Sequence, residues 1–268
     1  MKKKFKLGVI GAGFMASAIV KGAIKSNKLL PCEIIVSDVN QCALDNMAKL
    51  GVSITTDNVL LADQAEFVLF AIKPQSLNDV LSNIKNTCCD KFISIMAGVK
   101  KQKIKDYFPT AKVARCMPNT PCAIGCGAVG LDVSDFEIEL DVLFIKDLLN
   151  SFASVAIVEE NDLNVVTGIS GSSPAYFYLF LKGIIECGVK NGLSYEVSRQ
   201  LATNTMIGAG RMVLEHSEKT LDELITAVCS KGGTTIEAVN VYNEHDLSSI
   251  TDQAIKACII RAGELEKL

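Results

Sequence analysis

Short apolar runs alternate with segments of helical periodicity through the first 160 residues or so, the pattern of a parallel sheet joined by crossover helices. Leu7-Gly8-Val9-Ile10 predicts a first strand, after which Met15, Ala18, Ile19 and Ala23 recur with helical spacing. Glu33–Ser37 predicts a second strand ended by Asp38, followed by a helix from about Asn40 to Leu50 and a short apolar piece at Val52-Ser53-Ile54. Phe67–Ile72 and Phe92–Met96 are continuous apolar runs, so strands buried on both faces are expected there. Beyond Glu159-Glu160 the texture changes. Glycine-punctuated helical segments take over at Pro174–Cys187, Tyr195–Glu215, Leu221–Cys229 and Thr251–Glu264. An α/β domain over residues 1–160 and an all-helical domain over residues 161–268 are predicted, with no repeat or low-complexity linker.

A length of 268 residues suits two modest domains. With 27 Lys and Arg against 30 Asp and Glu, the net charge of −3 offers no global attraction for nucleic acid or an anionic membrane surface, so neither is expected as a partner. Hydrophobic residues reach 49% and the mean hydropathy +0.30, yet no run approaches the roughly 18 apolar residues of a bilayer span. So much apolar content with only 21% charged residues suggests surface covered by another subunit. Met1-Lys2-Lys3-Lys4 is basic like the start of an export signal, but Phe5–Ile10 is too short for its apolar region; a cytoplasmic protein is expected. Ten cysteines are then expected as reduced, small buried apolar residues. Cys122 and Cys126 lack the spacing of a zinc knuckle, only His216 and His245 offer nitrogen ligands, and no metal site is expected.

Strand one runs into Gly11-Ala12-Gly13-Phe14-Met15-Ala16, the G-x-G-x-x-A form of a dinucleotide fingerprint placed directly before a helix. Gly11 permits the tight turn, Gly13 admits a pyrophosphate to the backbone amides, and Ala16 lets helix and strand pack closely. The α/β half is therefore expected to be a Rossmann-like dinucleotide-binding domain. Asp38 stands where a carboxylate accepts hydrogen bonds from the adenosine ribose, and no arginine follows it, which favours NAD over NADP. Its alternative role is to cap the next helix. Lys73, in Ala71-Ile72-Lys73-Pro74, falls at the carboxyl end of a strand, within reach of cofactor ribose or phosphate oxygens or of solvent alone. Ala97-Gly98 offers a small backbone surface for the nicotinamide end. Arg115-Cys116-Met117-Pro118-Asn119-Thr120-Pro121 sets two prolines around an Asn-Thr pair and predicts a stiff turn rich in donors.

These motifs resemble those of the pyrroline-5-carboxylate reductases. The likeness rests on G-A-G-F-M-A, A-I-K-P-Q at Ala71–Gln75, M-A-G-V at Met96–Val99 and R-C-M-P-N-T-P at Arg115–Pro121. It continues through S-G-S-S-P-A-Y at Ser170–Tyr176 and S-K-G-G-T-T at Ser230–Thr235, in order along nearly the whole chain. The resemblance implies NADH- or NADPH-dependent reduction of a cyclic imine, 1-pyrroline-5-carboxylate, to L-proline, the last step of proline biosynthesis. It also implies a helical domain interleaved with a partner's in a homodimer, and further assembly of dimers. Carried over by motif, Ile10, Gly11, Ala12, Gly13, Phe14, Met15, Asn58, Ala71, Ile72, Lys73, Pro74, Met96, Ala97 and Gly98 resemble cofactor contacts, with Ser37 beside Asp38. Glu218, Gly232, Gly233, Thr234 and Thr235 resemble the substrate pocket, with Thr235 in the catalytic role. The chain departs from the family's pattern at Phe14, at Ser173, at Lys231, and at Asp38-Val39, where many members carry Asn-Arg or a similar pair.

The chemistry agrees with that reading. Ketone reduction needs a strong proton donor, whereas a protonated imine already carries its proton and needs positioning and shielding. Thr235, expected in a glycine-flanked loop, has a hydroxyl for the ring nitrogen, and the amides around Gly232–Thr235 suit a carboxylate. The rival β-hydroxyacid dehydrogenases share the two-part layout, but Phe177 occupies the position of their catalytic lysine. A non-catalytic nucleotide-sensing protein is the remaining alternative.

Overall fold

A computed structural model describes residues 3–266; Met1 and Lys2 of the basic start and the final two residues lie outside the described residues. The chain forms two compact units. One runs through Pro174 and takes in the chain again from Cys258; the other is Ala175–Ala257. The change of texture near residue 160 falls within the first of these units. Residues just past that point stay with the sheet unit because Val166 packs into the space over Gly130, where a Cβ would stand 2.7 Å from its methyl, and Met117 does the same over Gly171.

The sheet unit holds eight strands: β1 (Phe5–Ile10), β2 (Ile34–Ser37), β3 (Ser53–Thr55), β4 (Ala65–Phe70), β5 (Lys91–Ser94), β6 (Lys112–Pro118), β7 (Gly127–Asp132) and β8 (Ala153–Ile157). Their order is β3-β2-β1-β4-β5-β6-β7-β8, parallel except where β7 runs antiparallel to β6. Helices α1 (Phe14–Lys25), α2 (Gln41–Ala48), α3 (Asn58–Gln64), α4 (Leu77–Ile84), α5 (Lys101–Lys105), α6 (Glu139–Asn150) and α7 (Leu163–Val166) accompany them. The other unit is built from α8 (Ser173–Lys190), α9 (Tyr195–Glu215), α10 (Leu221–Val228), α11 (Thr234–Glu244) and the first half of α12 (Leu247–Leu265). The α/β fold with a helical region after it is the class the sequence predicts.

Alternation along each strand splits the interior into two cores, one on each face of the sheet. Leu7, Val9, Phe67, Leu69, Ile93 and Ala114 join the core beneath α1 and α6. Ile10, Val68, Phe70, Phe92 and Val113 join the one beneath α3 and α4. Phe67, Phe70 and Phe92 are fully buried, each contributing about 2 to 3 kcal/mol of apolar transfer free energy.

Several local expectations give way. Arg115–Pro118 is not a turn but the end of β6; the turn starts at Asn119, and Pro118 is tolerated in the strand because β5 pairs with β6 only as far as Arg115. Strands β7 and β8, unread in the sequence, extend the sheet. Thr234 and Thr235 open α11 rather than sitting in a loop. Of the ten cysteines, Cys89, Cys116 and Cys122 are buried as expected, but Cys32, Cys42, Cys88, Cys126 and Cys187 are exposed.

Candidate active site

Strands β1 and β4 are parallel neighbours whose following helices lie on opposite faces of the sheet, so a crevice opens at their carboxyl ends. The loop after β1 is drawn tight by three hydrogen bonds, two between backbone groups and one to a side chain. Gly11 N–H donates to Ser37 O at 2.7 Å, Ala71 N–H donates to Ile10 O at 2.8 Å, and Ala12 N–H donates to Asp38 Oδ2 at 2.6 Å. Gly11 takes φ +105°, and a Cβ there would stand 2.5 Å from Ala71 O, so only glycine serves. At Gly13 a Cβ would meet nothing within 4 Å. That space lies over the amino terminus of α1, whose first turn has no acidic residue and no side-chain cap. Its unpartnered N–H groups and positive dipole end form a cradle that fits a pyrophosphate.

The structure brings Gly11–Met15, Asp38, Ala71–Pro74 and Met96–Gly98 to the carboxyl ends of β1, β2, β4 and β5. Asp38 does not cap α2, a task taken by Asn40, whose side chain accepts from Ala43 N–H. Instead its Oδ2 takes Ala12 N–H and its Oδ1 takes Asn40 N–H at 2.8 Å, which aims a fixed negative charge beside the glycine loop and leaves each oxygen a free lone pair. Val39, next to it, is 98% exposed. Ser37 is a correction: it is fully buried, and its hydroxyl donates to Asn58 Oδ1 at 2.6 Å, so it orients Asn58 rather than offering itself to a ligand. Ile10 and Met96 are buried too and shape their loops from below. Phe14, Lys73 and Ala97 are exposed.

In the helical unit, Gly232 takes φ +72° and Gly233 is the residue before α11, with no side-chain cap. The first amides of α11 are thus open, and Thr234 and Thr235 stand exposed in that first turn. Glu218, exposed after α9, lies 3.2 Å from His216 Nδ1. Its own backbone amide, with His216, holds its carboxyl below the usual range, so it is ionised at neutral pH.

Sequence reasoning missed Arg115 as an ionic centre. Its side chain is 4% exposed, 2.9 Å from Glu266 and 3.4 Å from Glu160. The available signal was a lone arginine within the apolar run Val113-Ala114-Arg115-Cys116-Met117.

With this geometry in place, comparison with known proteins is decisive. Residues 160–265 match a family model described as pyrroline-5-carboxylate reductase dimerisation, and residues 6–98 one described as NADP oxidoreductase, coenzyme F420-dependent. The pyrroline-5-carboxylate reductase of Haemophilus influenzae is 37% identical over 267 residues, 98% of each chain. The chain belongs to the pyrroline-5-carboxylate reductase family. Among solved structures, the Coxiella burnetii member superposes with a TM-score of 0.92 at 31% identity, covering 99% of this chain and all of that one. The Plasmodium falciparum member, solved with NADP bound, gives 0.87 at 28% identity over 99% of this chain and all of that one.

Membership makes sense of the helical unit's surface. A dimerisation region fills it, so the chain is homo-oligomeric. Phe177, Tyr178 and Leu179 on α8 are exposed, and Phe180, Ile184, Leu201, Met206 and Val213 line an apolar groove of about 770 Å³ between α8 and α9. Isolated in water, such a face would be an aggregation hazard. Among the described residues no helix is long and apolar enough to cross a membrane.

Proposed function

We propose that this chain reduces 1-pyrroline-5-carboxylate to L-proline with NADH or NADPH as the hydride donor. The observation that carries the proposal is similarity to reductases of that name from end to end, through both halves of the chain. The open cradle over Gly13 supports it.

When bound, the dinucleotide supplies a hydride to the imine carbon, and the ring nitrogen keeps the proton it already carries. The chain's own residues do the rest. Amides at the start of α1 hold the pyrophosphate, and the carboxylate of Asp38 accepts from the adenosine ribose. Ala97 and Gly98 form the wall for the nicotinamide side, shaped from below by Met96. The uncapped amides of α11 take the substrate carboxylate, the Thr235 hydroxyl positions the ring nitrogen, and ionised Glu218 offsets the charge of the iminium. No strong acid is required, in keeping with Phe177 where a dehydrogenase would carry lysine.

Two finer points belong to the proposal. The fixed charge of Asp38 opposes a 2′-phosphate and accepts from a 2′-hydroxyl, so NADH competes well with NADPH. The homodimer is the basic unit, formed through the apolar α8 surface, with dimers assembling further. Ten free thiols suit the cytosol we assign to it. The deciding assay follows oxidation of NADH and NADPH by the purified chain with pyrroline-5-carboxylate and identifies proline by chromatography. Turnover with a ketone or 3-hydroxyacid partner, and none with the imine, would reverse the assignment.

A further inference from the structure

The end of α12 returns to the sheet unit and meets the loop that follows β5. Gly98 takes φ +69°, and a Cβ built there would lie 2.9 Å from Leu265 Cβ and 3.2 Å from the Leu265 carbonyl carbon. The last turn of the helix therefore rests directly on the glycine backbone. One residue on, Glu266 Oε1 accepts from Arg115 Nη2 at 2.9 Å, and Oε2 lies 3.6 Å from Lys100 Nζ. The second partner of Arg115, Glu160, also accepts from the backbone N–H of Lys101 at 2.7 Å. The loop is gripped at its start by Ser94 Oγ, which accepts from Met96 N–H at 3.4 Å, at its end by Glu160, and over its middle by Leu265.

A left-handed glycine has no Cβ to restrict it, so its conformation depends on what packs against it. A buried guanidinium in turn cannot lose its carboxylates without stranding a charge, a loss that disfavours release of the helix end. Burial opposes ionisation of Glu266, but hydrogen bonds from Arg115 and Asn164, with the charges of Arg115 and Lys100, outweigh it and keep the carboxyl below its usual range.

We propose that Leu265 and Glu266 are positioning residues for the dinucleotide: anchored on Arg115, the end of α12 holds the Met96–Gly98 loop in the shape that receives the nicotinamide half. The inference rests on the reading above, in which that loop faces the nicotinamide. It makes the last turn of α12 part of the cofactor site without touching the cofactor.

The test compares two ligands on the full chain by isothermal titration calorimetry: the preferred reduced dinucleotide, and ADP-ribose or its 2′-phosphate, which shares the adenosine half and pyrophosphate and lacks nicotinamide. Glu266→Gln keeps shape and removes charge; Leu265→Gly removes the Cβ that lies over Gly98. Each is expected to weaken the dinucleotide roughly three- to tenfold and to leave the half-ligand unchanged. Should Glu266→Gln fail to fold, Leu265→Gly decides alone. Unchanged dinucleotide affinity in the folded variants would overturn the inference, and so would equal weakening of both ligands, which marks general loosening. Failure of the unsubstituted chain to bind any dinucleotide would overturn the functional reading, and this inference with it.

Discussion

Gly11 and Gly13 are two residues apart and do different work. Gly11 is required by the fold, since its φ of +105° and the nearby Ala71 carbonyl leave no room for a side chain. Gly13 is required by nothing in the protein, because φ is −72° and the space above it is open. Gly11→Ala should therefore lower unfolding free energy by about 1 to 3 kcal/mol. Gly13→Ala should change it by less than about 1 kcal/mol while weakening the dinucleotide about tenfold or more. Denaturant melts beside cofactor titrations separate the two. At Asp38, replacement by Ser removes the fixed charge, and the NADPH-to-NADH ratio of kcat/KM should rise by about tenfold. A ratio that did not move would place Asp38 away from the ribose. Thr235→Ala should cost about 1 to 3 kcal/mol in kcat/KM for the imine, with cofactor affinity nearly constant. Full efficiency in that variant would leave Thr235 only the opening of α11.

Among the elements, α8 carries the clearest demand for a partner. Leu179 is 73% exposed on a helix that is apolar nearly all round. Leu179→Glu should shift the particle toward monomer mass in light scattering, whereas persistence of the parent mass would mean that the interface avoids this face. The short helix α5 is fastened differently, by charge. Asp135 lies 3.2 Å from Lys101 and 2.6 Å from Lys105, and Lys101 also pairs with Asp132 at the end of β7. Burial opposes ionisation of Asp135, but the two lysines outweigh it and depress its pKa. A depressed carboxylate stabilises above its unfolded pKa, and that contribution fades as pH falls through the folded value. Stability by denaturant should thus hold from neutral pH to about 5 and decline below about 4. Asp135→Asn should flatten that decline, a difference readable in paired melts.

For the molecule as a whole, what the sequence revealed depended on whether the shaping force was local. β1, β2, β4 and β5 are legible because burial on both faces writes a continuous apolar run. β6 is obscured by Arg115, whose partners lie far along the chain, and β7 by Gly127 and Gly130, which are glycines because Cys122 and Val166 press on them. α11 follows two glycines and lacks a strong apolar stripe, so its opening reads as loop. The glycine cradle was visible from its motif; the grip of Leu265 and Glu266 on Gly98 was not, since nothing near either residue signals it.

The sheet's division of the interior into two cores has an evolutionary side. Residues that share a core must change together or leave a gap, but side chains on opposite faces are separated by a plane of hydrogen-bonded backbone. Substitutions beneath α1 and α6 thus need no answer beneath α3 and α4, and each face can drift on its own. Such independence lightens the burden of compensation, and suits a lineage whose Coxiella burnetii member keeps a superposable backbone at 31% identity.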